Sequence, residues 1–382
     1  MCYLDPRFGL RASSGRTVFS QDEGWIDKLM TRRDTSVDPI FCPENPLVSP
    51  DTVASWLQAL PQPIALTGGT GFVGSHLIDT LCAAGIRPRV LVRNAAAPRW
   101  IADRLVDWVE GNLEDTEALD QLVKGAGTVV HLAGVLRGAT ESDFMIGNRD
   151  GTMRLLASVD RHAPDARFIH VSSQAAVGPA DAERGATVDI EPRPISAYGR
   201  SKAAAELVVR RFGGRWAVLR PPAIFGPRDS DVFEFFRMAS RGLLAAPSGE
   251  RWLTVAHVGD VVRAVIAVAA VGRATGIYHV GATEGILMDT MLREIAESGD
   301  LRARLVRIPP WILKTAGAGA SGLRMMGLRR IPLSRDKVGE ILAKHWVLET
   351  RTSIDQLGLD PPIPFDEGAR MTWQWYREIG WL

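Results

Sequence analysis

The sequence predicts an α/β protein built on a doubly wound parallel sheet, and three observations point there. Short apolar runs that read as buried strands recur between residues 63 and 219, separated by stretches of helical spacing. A glycine-rich turn, Thr67-Gly-Gly-Thr-Gly-Phe-Val-Gly74, follows the first run and opens the first helical stretch. The composition, 46% hydrophobic and 23% charged in 382 residues, suits a folded chain with a sizeable core. It excludes disordered, collagen-like and coiled-coil classes.

Residues 1–60 read as an N-terminal extension, with five prolines, eight acids against six bases and little periodicity. Inside it, Asp51–Leu60 places apolar Val53, Ala54, Leu57 and Leu60 behind an aspartate, the pattern of one short capped helix. Pro63–Thr67 is the first strand. Phe72–Ala84 has helical spacing and stops at Gly85. Arg89–Val92 and Thr128–Leu132 are the next strands. Phe168–Val171 and Trp216–Leu219 follow, each after a helical stretch. Beyond residue 221 the pattern loosens, with proline-rich turns at 221–227, 309–310 and 361–364. Trp373, Trp375 and Trp381 fit the packing of a final helix.

Residues 301–335 stand out, with eight Lys/Arg and no Asp/Glu among Trp311, Ile312, Leu313, Met325 and Met326. Two readings stay open there: a solvated surface helix with an apolar inner face, or a cationic element lying on an anionic membrane surface.

Lys+Arg total 45 and Asp+Glu 44, so net charge gives no general pull toward nucleic acid, and no aromatic-basic pattern adds one. Cys2, Cys42 and Cys82 are far apart and odd in number, which argues against a disulfide framework and for a reducing, cytoplasmic compartment. The seven histidines lack metal-ligand spacing, so no metal is expected. The N-terminus has no apolar secretory region, and the longest apolar stretch, Val261–Val271, is interrupted by Arg263 and too short for a bilayer.

Three motifs carry chemistry. Gly68, Gly71 and Gly74 follow a strand and open a helix, where backbone must turn tightly and approach a pyrophosphate seated on the helix N-terminus. Thr70, Phe72 and Val73 lie between them as further cofactor-binding candidates. In Tyr198-Gly-Arg-Ser-Lys202, positions i and i+4 share a helix face, and an ammonium beside the phenol is expected to lower its pKa from about 10 toward neutrality. Such a phenol suits acid/base work on an alcohol–ketone pair. Ser173, at the end of a strand, would face the same crevice and bond a substrate carbonyl.

Together with His131-Leu-Ala-Gly134, Leu219-Arg-Pro-Pro-Ala-Ile-Phe-Gly-Pro227 and His257-Val-Gly-Asp260, these motifs resemble the extended short-chain dehydrogenase/reductase superfamily. More narrowly, the chain is similar to the NAD-dependent epimerase/dehydratase family, with its dihydroflavonol-reductase-like and hydroxysteroid-dehydrogenase-like members. The resemblance runs from about residue 63 to the C-terminus. It implies Ser173, Tyr198 and Lys202 as the catalytic set, with Tyr198 and Lys202 also touching cofactor. Asn148, at a helix start, would be the fourth member and hold a water near the lysine. Leu132 and Ala133 would line the cofactor path, Pro221 would border the nicotinamide, and Asn112 and Leu113 would meet adenine, Asn112 replacing the family's usual Asp.

The implied architecture is a Rossmann-type NAD(P)-binding domain of residues 63–220 plus about 252–282, and a smaller substrate-binding domain from about 221–251 plus 283–382. A homodimer is implied by the resemblance alone. At the end of the second strand no acid is present to take a ribose hydroxyl. Val92 is followed by Arg93, which favours NADP(H) over NAD(H) or stacks on the adenine of either. Ala223 stands where sugar-nucleotide members carry an Asn, which disfavours a sugar-nucleotide substrate. The leading expectation is hydride transfer between nicotinamide and a secondary alcohol/ketone, on a non-nucleotide or lipid-like small molecule. The alternatives are a sugar-nucleotide epimerase or dehydratase with retained NAD, and a non-catalytic cofactor-bound scaffold.

Overall fold

A computed structural model describes residues 50–94, 100–101, 103–180, 184–271, 275–325 and 335–382. Most of the expected extension, residues 1–49, lies outside the described residues, as do 326–334 of the basic segment. Helix α1 spans Pro50–Ala59, as its spacing predicts. The strands and helices of the main body then alternate: β1 Ile64–Thr67, α2 Phe72–Ala83, β2 Arg89–Val92, β3 Asp107–Glu110, α3 Thr116–Val123 and β4 Thr128–His131. They continue with α4 Glu141–Phe144, a π-helical turn Met145–Asp150, α5 Gly151–His162, β5 Arg167–Val171, α6 Ala197–Arg210 and β6 Arg215–Arg220.

The remainder comprises β7 Ala223–Phe225, α7 Phe233–Ser240, β8 Leu243–Pro247, β9 Trp252–Leu253, β10 Val255–His257, α8 Val258–Ala270 and β11 Gly276–His279. It ends with β12 Ile286–Leu287, α9 Met288–Glu297, β13 Arg304–Ile308, α10 Pro310–Met325, α11 Arg335–Leu342, β14 His345–Trp346, α12 Arg351–Leu357 and α13 Phe365–Glu378.

Seven strands form one sheet in the order β3-β2-β1-β4-β5-β6-β11, every neighbouring pair parallel. Strand alternation sorts their side chains onto two covered faces. Leu66, Val130, Ile169 and Leu219 join one apolar cluster, closed by Leu77 and Ile78 of α2 and Val262, Val265 and Ile266 of α8. The intervening Ala65, Val129, Phe168 and Val218 join the other, closed by Leu119 of α3, Leu155 and Val159 of α5 and Val209 of α6. Burial on both faces is why these strands read as continuous apolar runs.

Helix α1 packs on α8 through Leu57 and Leu60. Every residue of α8 from Val258 to Ala269 is buried, with Arg263 paired to Asp260 inside. The apolar stretch noticed in the sequence is therefore a core helix. Among the described residues no helix is long and apolar enough to cross a membrane.

Beyond the main sheet, β7 pairs with β10, β8 with β13, and β9 lies between β12 and β14. Helix α13 seats Trp373 and Trp375 in the core, and the Trp373 indole donates to the Ile295 carbonyl of α9 at 2.5 Å. The helix ends at Glu378, before Trp381.

Candidate active site

Strand order reverses between β1 and β4, so the crevice beyond their C-terminal ends is where a doubly wound sheet takes its ligand. The chain turns there on Gly68, whose φ of 74° lies in the left-handed region, and Gly71 N–H donates to the Gly68 carbonyl at 3.1 Å. A Cβ at Gly68 would stand 2.5 Å from the Ala133 nitrogen, and one at Gly74 2.2 Å from the Gly68 oxygen. Both neighbours are backbone and cannot step aside. Gly71 caps α2 without a side chain, so the first-turn N–H groups have no side-chain acceptor and suit an anion. Thr70, Phe72 and Val73 are half-buried along this turn. Leu132 N–H donates to the Thr67 carbonyl at 3.1 Å and Ala133 N–H to Thr67 Oγ1 at 3.2 Å, which holds residues 132–133 beside it. This bare-backbone cradle fits the pyrophosphate of a dinucleotide.

The flanking positions follow from the same edge. Val92 is buried at the end of β2, and Arg93 is exposed just beyond it. Exposed Asn112 accepts the Glu114 N–H at 2.7 Å in an Asx turn, a bond that an aspartate would make equally. Leu113 lies against Gly151, where a Cβ would come within 2.8 Å of its Cδ1. Pro221 is buried, and its carbonyl accepts the Gln174 N–H at 2.8 Å, so β6 borders the turn that carries Ser173.

Ser173 caps the 3-10 turn Gln174–Ala176, and its Oγ accepts the Ala175 N–H at 3.1 Å. Ser196 caps α6, accepting the Gly199 N–H at 3.0 Å, and the helix then presents Tyr198, Lys202 and Glu206 at i, i+4 and i+8. Tyr198 meets the Phe144 ring edge-on at 6.2 Å between centroids and hydrogen-bonds with Ser173.

Its pKa runs opposite to the sequence expectation. Burial pushes the phenol up to about 12, Glu340 of α11 adds to the rise, and the hydrogen bond with Ser173 is what pulls downward. The Lys202 ammonium instead donates to the Val171 carbonyl at 2.8 Å, and burial lowers its pKa to about 8 against the upward pull of Glu206. The geometry brings Ser173, Tyr198 and Lys202 to one edge of β5, but not with the lysine tuning the phenol.

Asn148 differs from expectation in its place along the helix. It sits in the π-helical turn between α4 and α5 and not at a helix start. Its amide is committed: Nδ2 donates to the Val135 carbonyl at 3.1 Å and to Ser201 Oγ at 2.8 Å, while Oδ1 accepts the Val135 N–H at 2.7 Å. It ties the loop after β4 to α6, and both of its N–H groups are spent away from the lysine.

Residues that sequence reasoning passed over lie beneath this set. Arg220 grips Glu206 through Nε and Nη2, at 3.0 and 2.7 Å, and Ser172 Oγ donates to the same carboxylate at 2.5 Å. Both ion-pair partners are almost wholly buried. The signal was Glu206, spaced i+4 from Lys202. From the C-terminal side, Asp336 of α11 accepts the Ala197 N–H at 2.8 Å, so α11 abuts the start of α6. Ala223 is exposed and offers no hydrogen-bonding side chain.

Comparisons with known proteins bear on the family and the fold. Residues 64–281 match the model of the NAD dependent epimerase/dehydratase family. The chain is 32% identical to a ceramide reductase of Caulobacter vibrioides over 322 residues, 84% of this chain and 96% of that one. It is 29% identical over 254 residues to a ketoreductase of Stigmatella aurantiaca that acts on a farnesylated dihydroquinoline oxide, covering 64% of this chain and 75% of the other. A dTDP-glucose 4,6-dehydratase of Streptomyces venezuelae, solved as a double mutant with NAD bound, superposes with a TM-score of 0.65 at 25% identity. That superposition covers 84% of this chain and 98% of the dehydratase. The glycine cradle, the parallel sheet and these matches lead to one assignment: the chain belongs to the NAD-dependent epimerase/dehydratase family and is an oxidoreductase enzyme.

Proposed function

We propose that the protein is an NADPH-dependent ketone reductase acting on a lipid-like, non-nucleotide substrate. The observation that carries the reading is the placement of Tyr198 and Lys202 one turn apart on α6, with the lysine held at the end of β5 where Ser173 begins the next turn. With its pKa pushed up to about 12, the phenol is an acid at neutral pH, ready to give its proton to a carbonyl oxygen as that carbon is reduced. When bound, the nicotinamide supplies the hydride. Ser173 orients the carbonyl, Tyr198 delivers the proton, and Lys202, cationic below about pH 8, holds positive charge beside the crevice.

Three further features support this reading. Ala223 provides no amide for a sugar diphosphate, Arg93 is exposed at the end of β2 for a 2′-phosphate, and two relatives carry names of reductases of apolar compounds. The substrate would enter between the 63–220/252–282 and 221–251/283–382 portions, and the homodimer implied by the resemblance belongs to the same proposal.

The experiment follows NADPH oxidation with long-chain ketones against dTDP- and UDP-sugars. Tyr198→Phe should lose about 10²–10⁴-fold in kcat while still binding cofactor. Arg93→Glu should weaken NADPH by at least tenfold and leave NADH little changed. NAD carried stoichiometrically through purification, with turnover of a sugar nucleotide and no cofactor consumption, would overturn the proposal in favour of an epimerase or dehydratase.

A further inference from the structure

The chemistry above leaves one surface unused: the β8–β13 ribbon and the first turns of α10. In the parallel pair, Arg304 stands opposite Leu243 and Val306 opposite Ala245, so these residues share one face. Leu243 is 47% exposed and Val306 40%. Just beyond Pro309 and Pro310, Trp311 is 66% exposed and Ile312 40%. Four of the ten large apolar side chains exposed among the described residues therefore fall on one short stretch of structure.

Within residues 301–335 the charges have a single sign, with exposed Asp300 and Glu250 flanking the ribbon at its two ends. Arg304 and Lys314 are exposed, and no acid occurs from residue 301 to 335. Asp289 of α9 is bonded to Arg307, whose position puts it on the opposite face.

We propose that this surface docks the enzyme on a membrane containing anionic lipid. A large indole with an apolar body and one polar edge is suited to the headgroup boundary, where Ile312, Val306 and Leu243 can leave water. Cations beside the apolar residues match anionic headgroups, each being worth about fivefold in partitioning. A protein partner fits less well, because interface cores shed charge and lysine whereas here the cations are interleaved with the apolar residues.

Position relates the surface to catalysis. Helix α10 packs on α11, and α11 touches the start of α6 through Asp336 and Ala197. A lipid-like ketone could pass from the bilayer toward Tyr198 along this side. In its purpose, though not in its geometry, the inference rests on the reductase reading.

The test is sedimentation of the full-length protein with vesicles of phosphatidylcholine alone or with about one-third phosphatidylglycerol. Expected is binding to the anionic vesicles, weakened by raised salt, and at least tenfold weaker for Trp311→Ser/Ile312→Ser and for Arg304→Glu/Lys314→Glu. Thermal melting of each variant, read beside NADPH titration, establishes that it is folded. Equal binding by wild type and folded variants would overturn the proposal. So would loss of self-association in the apolar double variant with no vesicle binding by wild type, which would make this an interface between copies. Turnover of a short, water-soluble ketone is measured separately. Vesicle binding without such turnover keeps the docking surface and removes the reductase reading, and turnover without binding does the reverse.

Discussion

Glu206→Gln removes the negative charge beneath Lys202 while keeping an acceptor for the Ser172 hydroxyl. Burial already takes Lys202 from 10.5 down to about 8, with the Glu206 carboxylate pulling against that fall. One helical turn separates the two residues, about 6 Å between β-carbons. At an effective dielectric of about 20, unit charges at that distance interact by about 3 kcal/mol, or about two pH units. Relaxation and residual solvent take part of this, so Lys202 in the variant should titrate about one to two pH units lower.

Two readouts follow. If the ammonium is required, the alkaline limb of kcat moves down in pH by that amount. The sign of the stability effect is also determined. A lysine with a depressed native pKa is deprotonated in the fold before it is deprotonated unfolded. Wild-type stability therefore gains between about pH 8 and 10.5, and in the variant that gain begins lower. Arg220, left buried without its carboxylate, should cost about 3–5 kcal/mol in urea unfolding. Replacing both partners with apolar residues of similar volume should recover most of that loss. An alkaline limb at the wild-type pH in a folded Glu206→Gln protein would refute the coupling, and additive losses in the double variant would refute the pairing.

Two other outcomes are expected. Gly74→Ala places a Cβ 2.2 Å from the Gly68 oxygen and 2.7 Å from the Gly69 Cα. NADPH affinity should therefore fall at least tenfold, with about 1–3 kcal/mol of stability lost, as read by titration and melting; unchanged affinity would refute the cradle. Acid should destabilise the fold steeply below about pH 6.5. Burial holds His76, His131 and His257 at about 3 and His279 at about 4, and keeps His170 well below its usual value, so the unfolded chain takes up protons that the fold refuses. Buried Asp229 and Asp260, raised to about 7 and about 6, oppose this by binding protons in the fold. Five imidazoles against two carboxyls leave about three net protons near pH 5, a loss of about 4 kcal/mol per pH unit. Urea midpoints that hold constant from pH 6.5 to 5 would contradict it.

What could be read from the chain follows from how locally each feature is determined. The sheet's inner strands were readable because burial on both faces leaves a largely apolar run, as in Ile64-Ala65-Leu66 of β1. Strand β3 was missed because an edge strand exposes Asp107 and Glu110 and keeps only Val109 buried. The cradle glycines were readable because their requirement is steric and local. Asn148 was misplaced because a π-helical turn has no sequence period of its own, and its bonds depend on Val135 and Ser201.

Spacing found Tyr198 and Lys202, but it could not find their protonation. The phenol's pKa depends on burial and on Glu340, 142 positions along the chain, while the lysine's depends on burial and on Glu206. These environments push the phenol up and the ammonium down, the reverse of a simple ion-paired phenolate. Two titratable groups shifted in this way divide their work. The phenol remains the proton donor across the neutral range, and the lysine keeps its charge only up to about pH 8. Reduction uses both of those states at once. Oxidation of the alcohol would pass through the same two groups in reverse, so the direction of turnover follows the cofactor and substrate supplied and not the phenol's environment.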